Sequence, residues 1–235
     1  MYAILFDIDG TLVLTGGAGQ LAFAQTFAED FGIDEISRGV PFAGRTDRAI
    51  SLDLMRVHGI EPNEANWTRF REGYLQRLPS ALAQRIGEVL PGVGPLLDAL
   101  EQRTELVLGL LTGNLERGAQ LKLGHYGLAE RFAFRGYGDH SVSRDDVGAD
   151  AVTHARQHAA DRGEELTGMM VIGDTLHDIT CARSVGAYAV AVATGSPSRS
   201  ELMQQGPDLA LDDLSDLDPV LAAVDACMAT RSRPR

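Results

Sequence analysis

Tyr2-Ala3-Ile4-Leu5-Phe6-Asp7-Ile8-Asp9-Gly10-Thr11-Leu12 begins as an unbroken apolar run and ends on two acids and a glycine. A continuous apolar run, as opposed to an alternating one, is the pattern of a parallel strand covered on both faces. It predicts a buried strand over residues 2–8. A regular strand would put Asp7 and Asp9 on one face. A buried strand cannot hold two ionised carboxylates without compensation. Both acids are therefore expected at the strand's C-terminal end, where a parallel sheet opens into a ligand crevice. Gly10 lets the backbone leave in a conformation that other residues resist. Two carboxylates at such an end can share a divalent cation or divide nucleophile and acid roles. An Asp-Gly turn with no further role fits the same residues.

Working outward, further apolar runs predict strands over 106–111, 169–172 and 187–193, with a weaker one over 132–137. Helical patterns separate them: 95–102, 115–126, 149–160 and 178–185. Strand-helix alternation of this kind implies an α/β fold, a three-layer Rossmann-like parallel sheet with right-handed crossovers. The exception is the long stretch between the first two strands. It shows helical patterns at 21–31, 48–57 and 67–82 but no buried strand, and it is far too long for a simple crossover. Residues 15–86 are expected to form an inserted all-helical cap, with Gly16, Gly17 and Gly19 at one hinge and residues 87–94 at the other. The core then comprises 1–14 and 87–228. The basic tail, 229–235, is expected to be disordered.

The chain has 21 Lys and Arg against 33 Asp and Glu, a net charge of −12. Such a surface repels nucleic-acid phosphates and acidic membranes. Apolar residues make up 44% of the chain, and no run approaches the ~20 residues that span a bilayer. The N-terminus lacks the basic start and long apolar stretch of a signal peptide, so a cytoplasmic protein is expected. Cys181 and Cys227 form no disulfide framework. Lys122 is the only lysine.

Two other strand ends carry chemistry. The second strand runs into Thr112-Gly113-Asn114, where a hydroxyl, an unhindered amide and a helix N-terminus meet. That combination suits an anion, although a plain helix cap would use the same residues. The third runs into Gly173-Asp174-Thr175-Leu176-His177-Asp178. Asp174 and Asp178 are four apart on one face of a first helical turn. The helix dipole favours acids there, and a hard cation would accept the same oxygens. His154 and His158, four apart, have no third ligand and read as a solvated face. Gly17-x-Gly19-x-x-Ala22 starts too far beyond the first strand for a dinucleotide fingerprint.

Together these motifs resemble the haloacid dehalogenase-like hydrolase superfamily, in particular its phosphoglycolate phosphatase-like members with a helical cap. Asp7-x-Asp9-Gly10-Thr11, Thr112-Gly113-Asn114 and Gly173-Asp174-Thr175-x-x-Asp178 match its first, second and fourth motifs. The resemblance covers nearly the whole chain. The third motif departs from the family pattern, which usually has a lysine. Lys122 lies in the helix just after Asn114, so Arg144 is the candidate, with an exposed loop arginine as its alternative.

The resemblance implies a Mg²⁺-dependent phosphomonoester hydrolase for a small phosphorylated metabolite, monomeric or homodimeric. It implies that Asp7 is the nucleophile, forming an aspartyl-phosphate, and that Asp9 is the general acid and base. Mg²⁺ would be held by Asp7, the Asp9 carbonyl, Asp174 and Asp178, directly or through water at the last. Gly10, Thr11, Thr112, Gly113, Asn114 and Arg144 would hold the phosphoryl group. Arg45, in the cap loop Gly44-Arg45-Thr46-Asp47, would meet the rest of the substrate, or that loop simply starts a helix. Asp9 argues against dehalogenation, and a lone lysine outside the cap argues against phosphonate cleavage. A phosphoglucomutase-like transferase stays open. So does a non-turnover phospho-acceptor domain, which would lack a cap.

Overall fold

The computed structural model describes residues 1–231. Strand β1 (Tyr2–Phe6) is followed by a short strand β2 (Val13–Leu14), by helices α1 (Ala18–Phe31), α2 (Asp47–Val57) and α3 (Glu64–Gln84), and by β3 (Glu88–Val89). Regular alternation then takes over: α4 (Val93–Glu101), β4 (Leu106–Leu111), α5 (Glu116–His125), β5 (Phe134–Gly136), α6 (Arg144–Asp161), β6 (Gly168–Gly173), α7 (Leu176–Ser184), β7 (Tyr188–Val192), α8 (Arg199–Gln204), β8 (Leu209–Leu211) and α9 (Asp218–Arg231).

The main sheet has the order β5-β4-β1-β6-β7-β8, and its pairs are parallel. β1 is central, with Phe6 opposite Leu110 on one side and Ile172 on the other. Its side chains alternate between two apolar layers. Tyr2, Ile4 and Phe6 join Leu97 of α4, Ala119 of α5 and Val224 of α9. Ala3 and Leu5 join Val147 of α6, Ile179 of α7 and Leu202 of α8. A strand buried on both faces explains why its sequence is continuously apolar.

Helices α1, α2 and α3 form a third cluster around Phe23, Phe27, Phe70 and Tyr74. Leu115, just before α5, belongs to that cluster and seats the helical unit on the core. The two chain crossings pair as an antiparallel ladder, Val13 opposite Val89.

Several elements differ from expectation. β1 stops at Phe6, two residues early, because the Ile8 carbonyl accepts the amides of Thr11, Leu12 and Val13 and closes a turn. α6 starts at Arg144, five residues early, capped by the Ser143 hydroxyl accepting from the Asp145 amide. β8 is only three residues long, too short to stand out as an apolar run. α9 continues past Ala229, where a disordered tail is expected, to Arg231; residues 232–235 of that expectation lie outside the described residues. Among the described residues, no helix is long and apolar enough to cross a membrane.

Candidate active site

The acids and the Thr-Gly-Asn segment meet where β1, β4 and β6 end. Asp7, Asp174 and Asp178 are buried, and their carboxylate oxygens lie within 4.8 Å of one another. Gly10 makes this approach possible. Its φ of 87° is left-handed, and a Cβ there would overlap the Asp174 carboxylate. Thr11 donates its hydroxyl to Asp174 Oδ1 at 3.1 Å, while its amide is used in the turn. Thr11 therefore orients a carboxylate and does not face the cavity with its hydroxyl. Asp178 completes a capping box: its Oδ2 accepts from the Thr175 amide and hydroxyl at 3.0 and 2.7 Å.

Arg144 ties these acids together. One guanidinium nitrogen donates to Asp178 Oδ1 at 2.5 Å and to the Leu111 carbonyl at 3.0 Å, and stands 3.0 Å from Asp7 Oδ1. The side chain is buried, not an exposed loop arginine. Burial works against its charge, but Asp7 and Asp178 outweigh that and raise its pKa. Its Nε–H is buried and has no hydrogen-bond partner among the described residues.

Asp9 faces elsewhere. Its Oδ2 accepts from Asn114 Nδ2 at 2.8 Å and from Lys122 Nζ at 2.6 Å. Lys122 also donates to Asn114 Oδ1 at 2.6 Å, and Asn114 Nδ2 donates to Thr112 Oγ1 at 2.8 Å. Lys122, set aside in the sequence because it lies in α5, is thus a member of the site. Burial depresses an ammonium, but Asp9 and Asp47 outweigh it and raise the pKa of Lys122. A signal for it exists in the sequence. Leu115, just before α5, and Ala119, Lys122 and Leu123 within it share one buried stripe, and a lone lysine in such a stripe needs a buried partner.

The helical unit docks on this side. Asp47 donates its amide to the Gly113 carbonyl at 2.8 Å, and its Oδ2 accepts from the Leu115 amide at 2.9 Å. The Glu116 amide goes to Asp139 Oδ2 at 2.7 Å. The anion at the α5 N-terminus is thus supplied by the chain's own carboxylates, and neither Thr112 nor Asn114 caps α5. Thr46, not Asp47, caps α2, accepting from the Ala49 amide. A Cβ at Gly113 would run into the Arg45 carbonyl, so glycine is required for the loop to lie this close. Among the described residues the Gly113 amide has no partner. Arg45 lines the cavity, but its guanidinium is held by Asp53 Oδ2 at 2.5 Å and the Pro41 carbonyl at 3.3 Å. His177 is exposed, and His154 is bonded to the Arg135 carbonyl.

Between core and helical unit lies a cavity of about 1170 Å³, lined by Asp7, Asp9, Asn114, Lys122, Arg144 and Asp174 among others. The acids around it are short of positive charge. Burial, aided by Asp178 and Asp9 and opposed by Arg144, raises Asp7 to about 6. Burial, then Asp178 and Asp7, push Asp174 well above the carboxylate range. Three carboxylates, Asp7, Asp174 and Asp178, face one cation, Arg144, a deficit of two charges. An all-oxygen donor set with that deficit fits a hard divalent cation.

The chain is similar to known proteins over most of its length. The sequence model of the haloacid dehalogenase-like hydrolase family matches residues 4–183. A phosphoglycolate phosphatase of Synechococcus elongatus is 32% identical over 219 residues, 92% of this chain and 95% of that relative. One of Chromobacterium violaceum is 28% identical over 223 residues, 92% and 94% of the two chains. The solved structure of CbbY from Rhodobacter sphaeroides in complex with phosphate shares the fold, with a TM-score of 0.72 at 22% identity over 92% of this chain and 96% of that one.

Proposed function

This chain belongs to the haloacid dehalogenase-like hydrolase family, and we propose that it is a Mg²⁺-dependent phosphatase of a small phosphorylated metabolite that works through an aspartyl-phosphate on Asp7. One observation carries this reading. Two carboxylates two residues apart stand in separate surroundings, Asp7 among acids and Arg144, Asp9 against Lys122 and Asn114. Paired acids kept in unlike environments are suited to unlike roles.

Asp7, Asp174 and the Asp9 carbonyl would hold Mg²⁺, with Asp178 ligating directly or through a water. When bound, the ion offsets phosphate charge so that a carboxylate can approach phosphorus. Arg144 fixes one Asp7 oxygen, leaving the other to attack. The new bond joins Asp7 to phosphorus, and the bond to the leaving oxygen breaks as Asp9 delivers its proton there. Asp9 then takes a proton from water, which attacks phosphorus and frees Asp7 and inorganic phosphate. The unpartnered Arg144 Nε–H and Gly113 amide are donors left for the equatorial oxygens, joined by the Thr112 hydroxyl and the Asn114 amide. Gly10 and Thr11 support that cradle by placing Asp174. Residues 15–86 act as the cap that excludes water and selects the leaving group, and Arg45 meets the substrate by exchanging its ion pair with Asp53. A cytoplasmic enzyme, monomer or homodimer, acting on a dissolved metabolite and not on nucleic acid or membrane is in keeping with the net charge of −12.

A panel of phosphomonoesters assayed with Mg²⁺ and with EDTA tests the proposal. Phosphate release that needs Mg²⁺ is expected; equal release in EDTA, or none from any ester, would refute it.

A further inference from the structure

Tyr74, in α3, is fully buried, with its ring stacked on Phe70 and edge-on to Phe23. Aromatic packing accounts for the ring but not for the hydroxyl. That hydroxyl is buried, has no hydrogen-bond partner among the described residues, and borders the cavity. An unmade bond of this kind carries its full desolvation cost unless a ligand supplies the partner.

Lys122 offers a second donor at the same place. Its ammonium has three N–H donors. Two go to Asp9 and Asn114, and the third has no partner among the described residues. Gly19 of α1 lies beside both groups. A Cβ there would sit 3.6 Å from Lys122 Nζ and 3.9 Å from the Tyr74 hydroxyl, in ordinary contact with each. Gly19 has no positive φ, so its backbone does not require glycine. The missing side chain instead leaves an opening onto two unused donors, and Asp9, which shares Lys122, is the residue placed at the leaving oxygen.

On the phosphatase reading above, we infer that Tyr74, Lys122 and the space at Gly19 form the leaving-group subsite, and that it takes a substrate bearing an acceptor oxygen, hydroxyl or carboxylate, close to the ester oxygen. Two convergent donors reject an alkyl group, which would leave both unpaired. The bound acceptor sits against Lys122 and so places the leaving oxygen next to Asp9.

The test compares kcat/KM for glycerol 1-phosphate (hydroxyl) and phosphoglycolate (carboxylate) with that for propyl phosphate (no acceptor) in the full-length protein with Mg²⁺. Tyr74→Phe lowers the acceptor-to-alkyl ratio about tenfold for whichever acceptor the site takes, one lost hydrogen bond. The arm that falls identifies hydroxyl or carboxylate. Gly19→Ala fills the opening and lowers the same ratio by about tenfold or more, with a Tm no lower than wild type, because alanine favours the helix. Wild-type ratios in both variants would overturn the subsite alone. Failure of the wild-type protein to hydrolyse any of the three esters while it hydrolyses others would overturn the subsite, and failure on every ester of the panel would overturn the phosphatase reading and the subsite with it.

Discussion

The two acids that follow β1 divide the site into two halves. Asp7 lies on the buried half, its side chain 8% exposed, with Asp174, Asp178 and Arg144 around it. Asp9 lies on the half that faces the helical unit, 41% exposed, with Lys122 and Asn114. Each half has one buried cation, yet the cations do different work. Taking a cation from a buried acid leaves an uncompensated charge in a dry place. Taking one from an acid that water can reach leaves a charge the solvent can accommodate. The acid's exposure, more than the length of the ion pair, sets how much each cation matters.

Arg144→Ala should therefore have the largest effect. It strands Asp7 and Asp178 together and should cost about 3–5 kcal/mol in EDTA, by urea unfolding. It should also lower kcat by about 10²–10³, since Arg144 both fixes Asp7 and donates to the phosphoryl group. Mg²⁺ should restore part of the stability and little of the rate. On the other half, Asp47→Asn gives a pH signature. Burial raises Asp47 from 3.8 to about 6, so the folded chain binds this proton more tightly than the unfolded one. That contribution is present below about pH 4 and is lost as pH rises through 6. Stability of wild type minus Asp47→Asn should thus fall by about 3 kcal/mol between pH 3 and pH 7; a constant difference would show that the carboxylate is not desolvated. Lys122→Met should cost less than Arg144→Ala, because Asp9 is part-exposed and buried Asp47, the other acid near Lys122, keeps the Leu115 amide. If it destabilised the protein more than Arg144→Ala, the contrast between the halves would be wrong. Arg45→Ala breaks an ion pair whose side chains are 21% and 37% exposed, so under about 1 kcal/mol is expected. KM for the best substrate should rise severalfold, and an unchanged KM would remove Arg45 from the substrate's contacts.

The same division decides what the sequence reveals. Asp7, Asp174 and the Thr112-Gly113-Asn114 segment were legible because each ends an unbroken apolar run, and a doubly covered strand marks its own end. The alternation of strands and helices around them made the sheet legible as well. Arg144 was reached only through the resemblance, since no pattern says that a helix begins at it. The other half was hidden. Lys122 is 113 residues from Asp9, and its helix face becomes informative only once the neighbouring stripe is known to be buried. In the sequence the Gly44-Arg45-Thr46-Asp47 loop reads as a helix start, which Thr46 caps, but nothing there shows that Asp47 reaches across to the Leu115 amide. The Tyr74 hydroxyl is unremarkable until the ring's burial shows that it has no partner. Strand ends are local in sequence, whereas the contacts that seat one unit on another are not.

The central claim is that Asp7 carries the phosphoryl group. Acid quenching during steady turnover with Mg²⁺, followed by peptide mass analysis, tests it directly. The peptide containing Asp7 should gain the mass of one phosphoryl group, and the Asp7→Asn protein should neither gain it nor release phosphate. Steady phosphate release from Asp7→Asn, or a phosphoryl group found on another residue, would contradict the account.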